Sequence, residues 1–246
     1  MRFLFKTRYE QDLRLFKDRH QAIWYVLLIV VLALAPLGIS EYYQTQFTLV
    51  FISSIVGFGL MMLTGFTGQM SMGHAAFLAI GAYTEAVLQA NGWPFVLSAP
   101  AGMVLAGLAG LIIGLPALRL TGIYLAIATL AFGFCVEEIL ARWESVTGGN
   151  SGLMVPQLKL LTEPLPGGVP FYYLCLVCVI AVAVLCANLL RSPTGRAFIA
   201  IRDSEVSAQS MGVNLARFKT TSFAISAGLT GLAGALYAHQ IMFISP

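Results

Sequence analysis

Gly68-Gln-Met-Ser-Met-Gly-His74 brings a carboxamide, a hydroxyl and an imidazole within seven residues of one another in an otherwise apolar chain. Three kinds of chemistry can use such a set. A Ser71 nucleophile with His74 as its base would want the tight Gly-x-Ser-x-Gly turn, and Gly68 stands one position too far away for it. A metal centre would want more ligands: the chain has 3 histidines, no His-Glu-x-x-His, and a Cys175-x-x-Cys178 pair without a second pair or a strand-to-helix setting. Catalysis, a bound metal and a cofactor are therefore not expected, and the cysteines read as small buried hydrophobes. The third kind is recognition, since a glycine-rich unwound turn leading to a helix start at about Ser71 leaves N–H groups and a positive dipole end for an anionic group.

The elements that must hold these residues are membrane spans. Hydrophobic residues make up 58% of the 246, and charged residues only 10%, against about 25% in soluble domains. Apolar runs of spanning length occur at about 22–39, 47–63, 71–90, 98–117, 123–140, 169–190 and 220–243. The expected fold is an all-α integral membrane protein, a polytopic bundle of about seven spans with a discontinuous helix near residues 65–74. Irregular backbone at membrane depth survives only against protein or a water-filled cavity, and broken helices mark many transporter sites. Gly68, Gln69, Ser71, Gly73 and His74 are thus candidates for lining a translocation path. The alternative at the same residues is a tight turn, with Ser71 as its N-cap and His74 bonded to a neighbouring helix.

Charge placement orients the spans. Arg2, Lys6, Arg8, Arg14, Lys17 and Arg19 precede the first span, and Arg119, Arg191, Arg196, Arg202, Arg217 and Lys219 fall on the same side when seven spans are counted. Twelve of the 14 basic residues then lie on one side, with Arg142 and Lys159 opposite, so residues 1–21 read as a cytoplasmic tail. Residues 22–246 read as one transmembrane domain.

Within that domain, residues 191–219 form the longest polar insert. Ser192 with Pro193, then Asp203 or Ser204, then Asn214 can cap three successive helices, and Gly212 suits a left-handed C-terminal position. The insert reads as a helical elbow with Phe198, Ile201, Val206 and Met211 as its knob. Gly110-x-x-x-Gly114 in the fourth span and Gly228, Gly231 and Gly234 in the last are seams for close packing. Thr121, Tyr124 and Thr129 read as hydroxyls bonded back to their own helix, and Glu137 and Glu138 as interfacial. The turn Thr147-Gly-Gly-Asn-Ser-Gly152 reads as flexible, or as an anion-binding nest. Glu85 is an ionisable residue inside a span, placed either near the outer boundary or facing the path.

The blocks Gly68 to Phe77 with Ile80-Gly-Ala-Tyr83, Leu120 to Phe132, Thr147 to Gly152 and Gly195 to Glu205, in this order, resemble LivM-type permeases, the membrane subunits of branched-chain amino acid ABC importers. The resemblance implies import of leucine, isoleucine or valine, or of urea, amides and related solutes, across a bacterial inner membrane. It implies a separate ATPase subunit, a second, LivH-like permease subunit completing a pseudo-dimer, an extracytoplasmic binding protein, with the 141–168 loop meeting that protein or the mouth of the path, and surrounding lipid, with no nucleic acid. It also makes the second elbow helix the coupling contact with the ATPase, through Asp203, Glu205, Ala208 and Gly212. The chain has no Gly-x-x-x-x-Gly-Lys-Ser/Thr loop of its own. Members of this family continue through further spans, so the chain is expected to be C-terminally incomplete. An ion-coupled transporter or channel is the rival class, with Glu85 as its support.

Overall fold

A computed structural model describes residues 19–120, 122–160 and 168–246; the charges of the tail before Arg19, and Thr121, lie outside them. Each apolar run is a helix. The long ones are α1 (Arg19–Leu34), α2 (Glu41–Leu60), α3 (His74–Ala90), α4 (Phe95–Gly114) and α5 (Ile123–Arg142). After the short α6 (Glu144–Thr147) come α7 (Val169–Arg191), the elbow helices α8 (Pro193–Asp203) and α9 (Glu205–Ser210), and α10 (Leu215–Ile241). A π-helical turn, Met61–Gly65, extends α2. Among the described residues five helices are long and apolar enough to cross a membrane; Ala22–Leu37 is shorter, and α3 has 17 residues.

The bundle is built around α10, which is buried over most of its length; α3 is also largely covered, while the other long helices keep exposed apolar residues. Small residues allow this. A Cβ on Gly81 would lie 2.0 Å from the Gly231 carbonyl oxygen, one on Gly234 2.1 Å from that of Leu78, and one on Gly110 2.5 Å from the Ala227 Cβ. The backbones of α3, α4 and α10 therefore touch, and both expected seams are realised. α1 is exposed almost all round and is held at one end, where the Tyr172 and Tyr173 hydroxyls at the start of α7 donate to the carbonyls of Leu32 (2.7 Å) and Ala33 (2.9 Å).

Three readings of the sequence are corrected here. The helix after the break starts at His74 rather than Ser71, with Gly73 at the cap position and no side-chain cap. Phe198 and Ile201 are core residues of α8, whereas Val206 and Met211 stand out from the elbow at 80% and 86% exposure. The 141–168 loop is ordered in its described part. Thr147 Oγ1 donates to the Leu140 carbonyl at 2.6 Å, and a two-residue strand, β1 (Leu153–Met154), pairs antiparallel with β2 (Phe243–Ile244) beyond α10. Glu85 is fully buried between helices.

The elbow forms as its caps dictate. Ser192 Oγ accepts from Gly195 N, Ser204 Oγ from Ser207 N, and Asn214 Oδ1 from Arg217 N; of the two candidates for the second cap, Ser204 takes the role. α9 ends with Val213 N donating to Ala208 O and Gly212 N to Gln209 O, and Gly212 at φ +85°. That is a Schellman ending with glycine at the left-handed position.

Candidate functional site

Between Thr67 and His74 the chain leaves helical geometry and re-enters it inside the bundle. His74 Nε2 lies 2.7 Å from Ser226 Oγ, which donates to the carbonyl of Gly59 at 2.6 Å. Gly59 precedes Gly65, the last residue of the π-helical turn, by six residues, so α3 begins roughly 9 Å above the end of that turn at 1.5 Å per residue. This is why α3 is short. A helix beginning below the surface needs fewer residues to reach the far side.

Irregular backbone at that depth requires partners, and they come from α5 and α10. Met72 N donates to Thr129 Oγ1 of α5 (3.0 Å), and Ser71 Oγ is paired with His74 Nδ1 (2.9 Å). Gln69 Nε2 donates to Ser222 Oγ of α10 (2.9 Å), and Gln69 N to the Leu63 carbonyl (3.2 Å). Gly73 is pressed onto α5, where a Cβ would lie 2.0 Å from the Thr129 carbonyl oxygen. Gly68 has φ +69°, and its Cα faces the stem of Arg202.

The five candidate path residues are thus brought together but do not share one face. Gln69, Gly73 and His74 are buried against their own subunit, Ser71 is half-buried, and Gly68 is exposed. The exposed rim of the break is made of Met70, Met72 and Ala75 beside Gly68. Ser222, Ser226 and Thr230 were not singled out from the sequence, although their spacing of four is a polar stripe on one helical face. All three are fully buried.

At the opposite end of α10 lies a second polar cluster. Glu85 Oε1 of α3 accepts from Ser98 Oγ of α4 (2.8 Å) and is paired with His239 Nε2 of α10 (3.0 Å); Phe95 meets the imidazole edge-on. Both members of the pair are buried, so these contacts must offset the cost of desolvation.

On the elbow, Asp203 and Gly212 are exposed, Ala208 is buried, and Glu205 turns inward to Lys219 Nζ (2.7 Å). Lys219, counted from the sequence among the charges on one aqueous side, is a buried residue of α10. Arg202 Nη1 donates to the Gly65 carbonyl (2.8 Å). No group of three or more metal-ligating side chains exists among the described residues.

A helical bundle whose third span begins inside the protein, above an ordered elbow, is that of a polytopic membrane protein with a discontinuous helix. The chain belongs to the family described as the permease component of the branched-chain amino acid transport system, which matches residues 42–246. It is 35% identical over 251 residues to the high-affinity branched-chain amino acid transport system permease protein LivM of Escherichia coli (strain K12), covering 92% of this chain and 59% of that one. The LivM protein of Salmonella typhimurium (strain LT2) is 34% identical with the same coverage. The autoinducer 2 import system permease protein LsrC of Enterobacter sp. (strain 638) is 27% identical over 94% of this chain and 66% of its own. The chain spans about three fifths of the length of the LivM relatives. No solved structure matches it.

Proposed function

We propose that this chain is the permease subunit of an ABC importer that carries branched-chain amino acids inward across a bacterial inner membrane, driven by ATPase subunits on separate chains. The observation that carries the reading is the submerged start of α3, held by α5 and α10 with a methionine rim outward. Met70 and Met72 offer flexible, polarizable thioethers suited to apolar amino acid side chains. Gly68 and the half-buried Ser71 beside them supply the polar edge. In this reading the buried Gln69, Gly73 and His74 hold the rim in place, and the path runs past Gly68, Met70, Ser71, Met72 and Ala75. A second, LivH-like permease closes the other side, and an extracytoplasmic binding protein delivers the solute at the 141–168 end.

The elbow end is the cytoplasmic one, because Arg191, Arg196, Arg202 and Arg217 gather there. α1 meets the start of α7 by its C-terminal end, which supports an N-terminus on the elbow side. Val206, Met211, Asp203 and Gly212 form the face offered to the ATPase.

The test is uptake by the reconstituted complex over a panel of labelled leucine, isoleucine, valine, urea and short amides, with ATP or with an ion gradient as the only energy source. ATP-dependent uptake of the branched-chain members is expected. Uptake driven by the gradient alone would favour the ion-coupled reading that Glu85 and His239 suggest. Met72→Cys should react with a water-soluble thiol reagent and be shielded by substrate, whereas His74→Cys should stay unreactive; the reverse pattern would move the path elsewhere.

A further inference from the structure

We infer that Arg202 is a positioning residue that carries movement of the elbow to the broken helix, as one link of a closed ring of polar contacts. The inference rests on the reading of the chain as an ATP-driven permease.

The ring can be followed atom by atom. Arg202, near the end of α8, donates through Nη1 to the carbonyl of Gly65 at 2.8 Å, and its side-chain stem lies against Gly68, where a Cβ would sit 3.5 Å from the Arg202 Cγ. Glu205 opens α9 just beyond the Ser204 cap, and its carboxylate is 2.7 Å from Lys219 Nζ on α10. One turn along α10, Ser222 Oγ donates to the Lys219 carbonyl at 2.8 Å and accepts from Gln69 Nε2 at 2.9 Å. Gln69 N returns to α2 at the Leu63 carbonyl. The break is therefore held on one side by α8 and on the other by α10, and the two holds meet in the elbow.

The contacts differ in how they bear a load. Lys219 is buried and its charged partner is Glu205, so separating them would strand a buried charge; α9 and α10 are bound to move together. Arg202 is exposed, and a guanidinium on a helix-end carbonyl is favourable both as a hydrogen bond and toward the dipole. Displacement of α8 and α9 relative to α2 thus acts at Gly65 and Gly68, where the π-helical turn and the φ of +69° already depart from regular helix. Arg202 is the exposed link at which elbow and break can be uncoupled without unfolding either.

The experiment compares wild-type, Arg202→Ala and Arg202→Lys permeases in the reconstituted complex with its ATPase and receptor, measuring labelled leucine uptake and ATP hydrolysis in the same vesicles. The expected result for Arg202→Ala is normal assembly and hydrolysis with the uptake-to-hydrolysis ratio reduced about fivefold or more, the lower end of measured site-to-site couplings. Arg202→Lys, which keeps a charged donor, should restore most of the ratio. A merely structural role would lower uptake and hydrolysis together and leave the ratio unchanged, and that result overturns the inference. So does Arg202→Lys as uncoupled as Arg202→Ala, because the donated hydrogen bond would then not be the link. Wild-type vesicles without ATP-driven uptake would overturn the permease reading and this inference with it, whereas coupled uptake in both wild type and Arg202→Ala overturns this inference alone.

Discussion

Beyond Lys219, buried and paired with Glu205 at its elbow end, α10 buries polar side chains in two different ways along its length. Toward the elbow, Ser222 and Ser226 are neutral hydroxyls that serve interrupted main chain: Ser226 reaches the Gly59 carbonyl and His74, and Ser222 receives Gln69 from the break itself. At the far end His239 meets a carboxylate, Glu85, between helices that are continuous there. A hydroxyl can donate and accept at once, which suits a place where backbone geometry changes and partners must be shared. An ionisable pair in the same setting is costly to separate and suits a place that stays shut. On the proposed reading, the half at the break moves and the Glu85–His239 half stays closed.

Between the halves lies the glycine waist, and breaking it should erase the distinction. Gly234→Val would push methyl groups into the Leu78 carbonyl, from which even a Cβ lies only 2.1 Å. Helix α3 would have to leave α10, and the expected outcome is loss of the monodisperse folded protein on size exclusion in detergent, since backbone atoms cannot yield as side chains do. Full recovery of the folded peak would show that the waist is looser than these contacts imply.

The next largest effect is expected at the closed end. Glu85→Leu or His239→Leu alone strands the other member of a buried pair and should destabilise the protein by about 3–5 kcal/mol. The double replacement should recover much of that loss, because two apolar side chains need no partner. Thermal inactivation of the four proteins in one detergent gives the cycle. Additive losses would mean that the pair is not the unit.

Ser226→Ala sharpens the other side of the comparison. It removes the hydroxyl shared by Gly59 and His74 and leaves buried groups unsatisfied, at about 1–3 kcal/mol. Uptake should fall more than thermal stability does, because the loss sits at the start of α3. An equal fractional loss in Glu85→Gln uptake would erase the contrast between the two ends.

The smallest effect on the fold is expected at Gly212→Val. At φ +85° a β-branched residue is strained by about 1–2 kcal/mol, but a Cβ there meets nothing. The bundle should fold normally while retention of the ATPase on purification weakens. Unchanged retention would remove α9 from the docking face.

What could be read in advance followed local rules. The helix caps at Ser192, Ser204 and Asn214 and the ending at Gly212 depend on residues a few positions apart, and each formed. The small-residue seams were legible because glycine spacing repeats along a helix face. Ser222, Ser226 and Thr230 carried the same kind of signal and passed unnoticed, since hydroxyls in a span usually satisfy their own helix; two of the three here also reach another element. Glu85 and His239 are each conspicuous in an apolar run, yet nothing local pairs residues 154 positions apart.

Local sequence is enough to mark a polytopic helical membrane protein, the approximate course of its helices, a break before the third span and a capped elbow before the last. These follow from hydrophobicity and from backbone chemistry within a turn or two. How deep α3 begins, which residues of the break face inward, the burial of Lys219 against Glu205 and the contact of Arg202 with the break emerge from the packed bundle. Those outcomes depend on which helices lie side by side, and in a membrane that choice is set by close packing and by the few polar groups that must find each other.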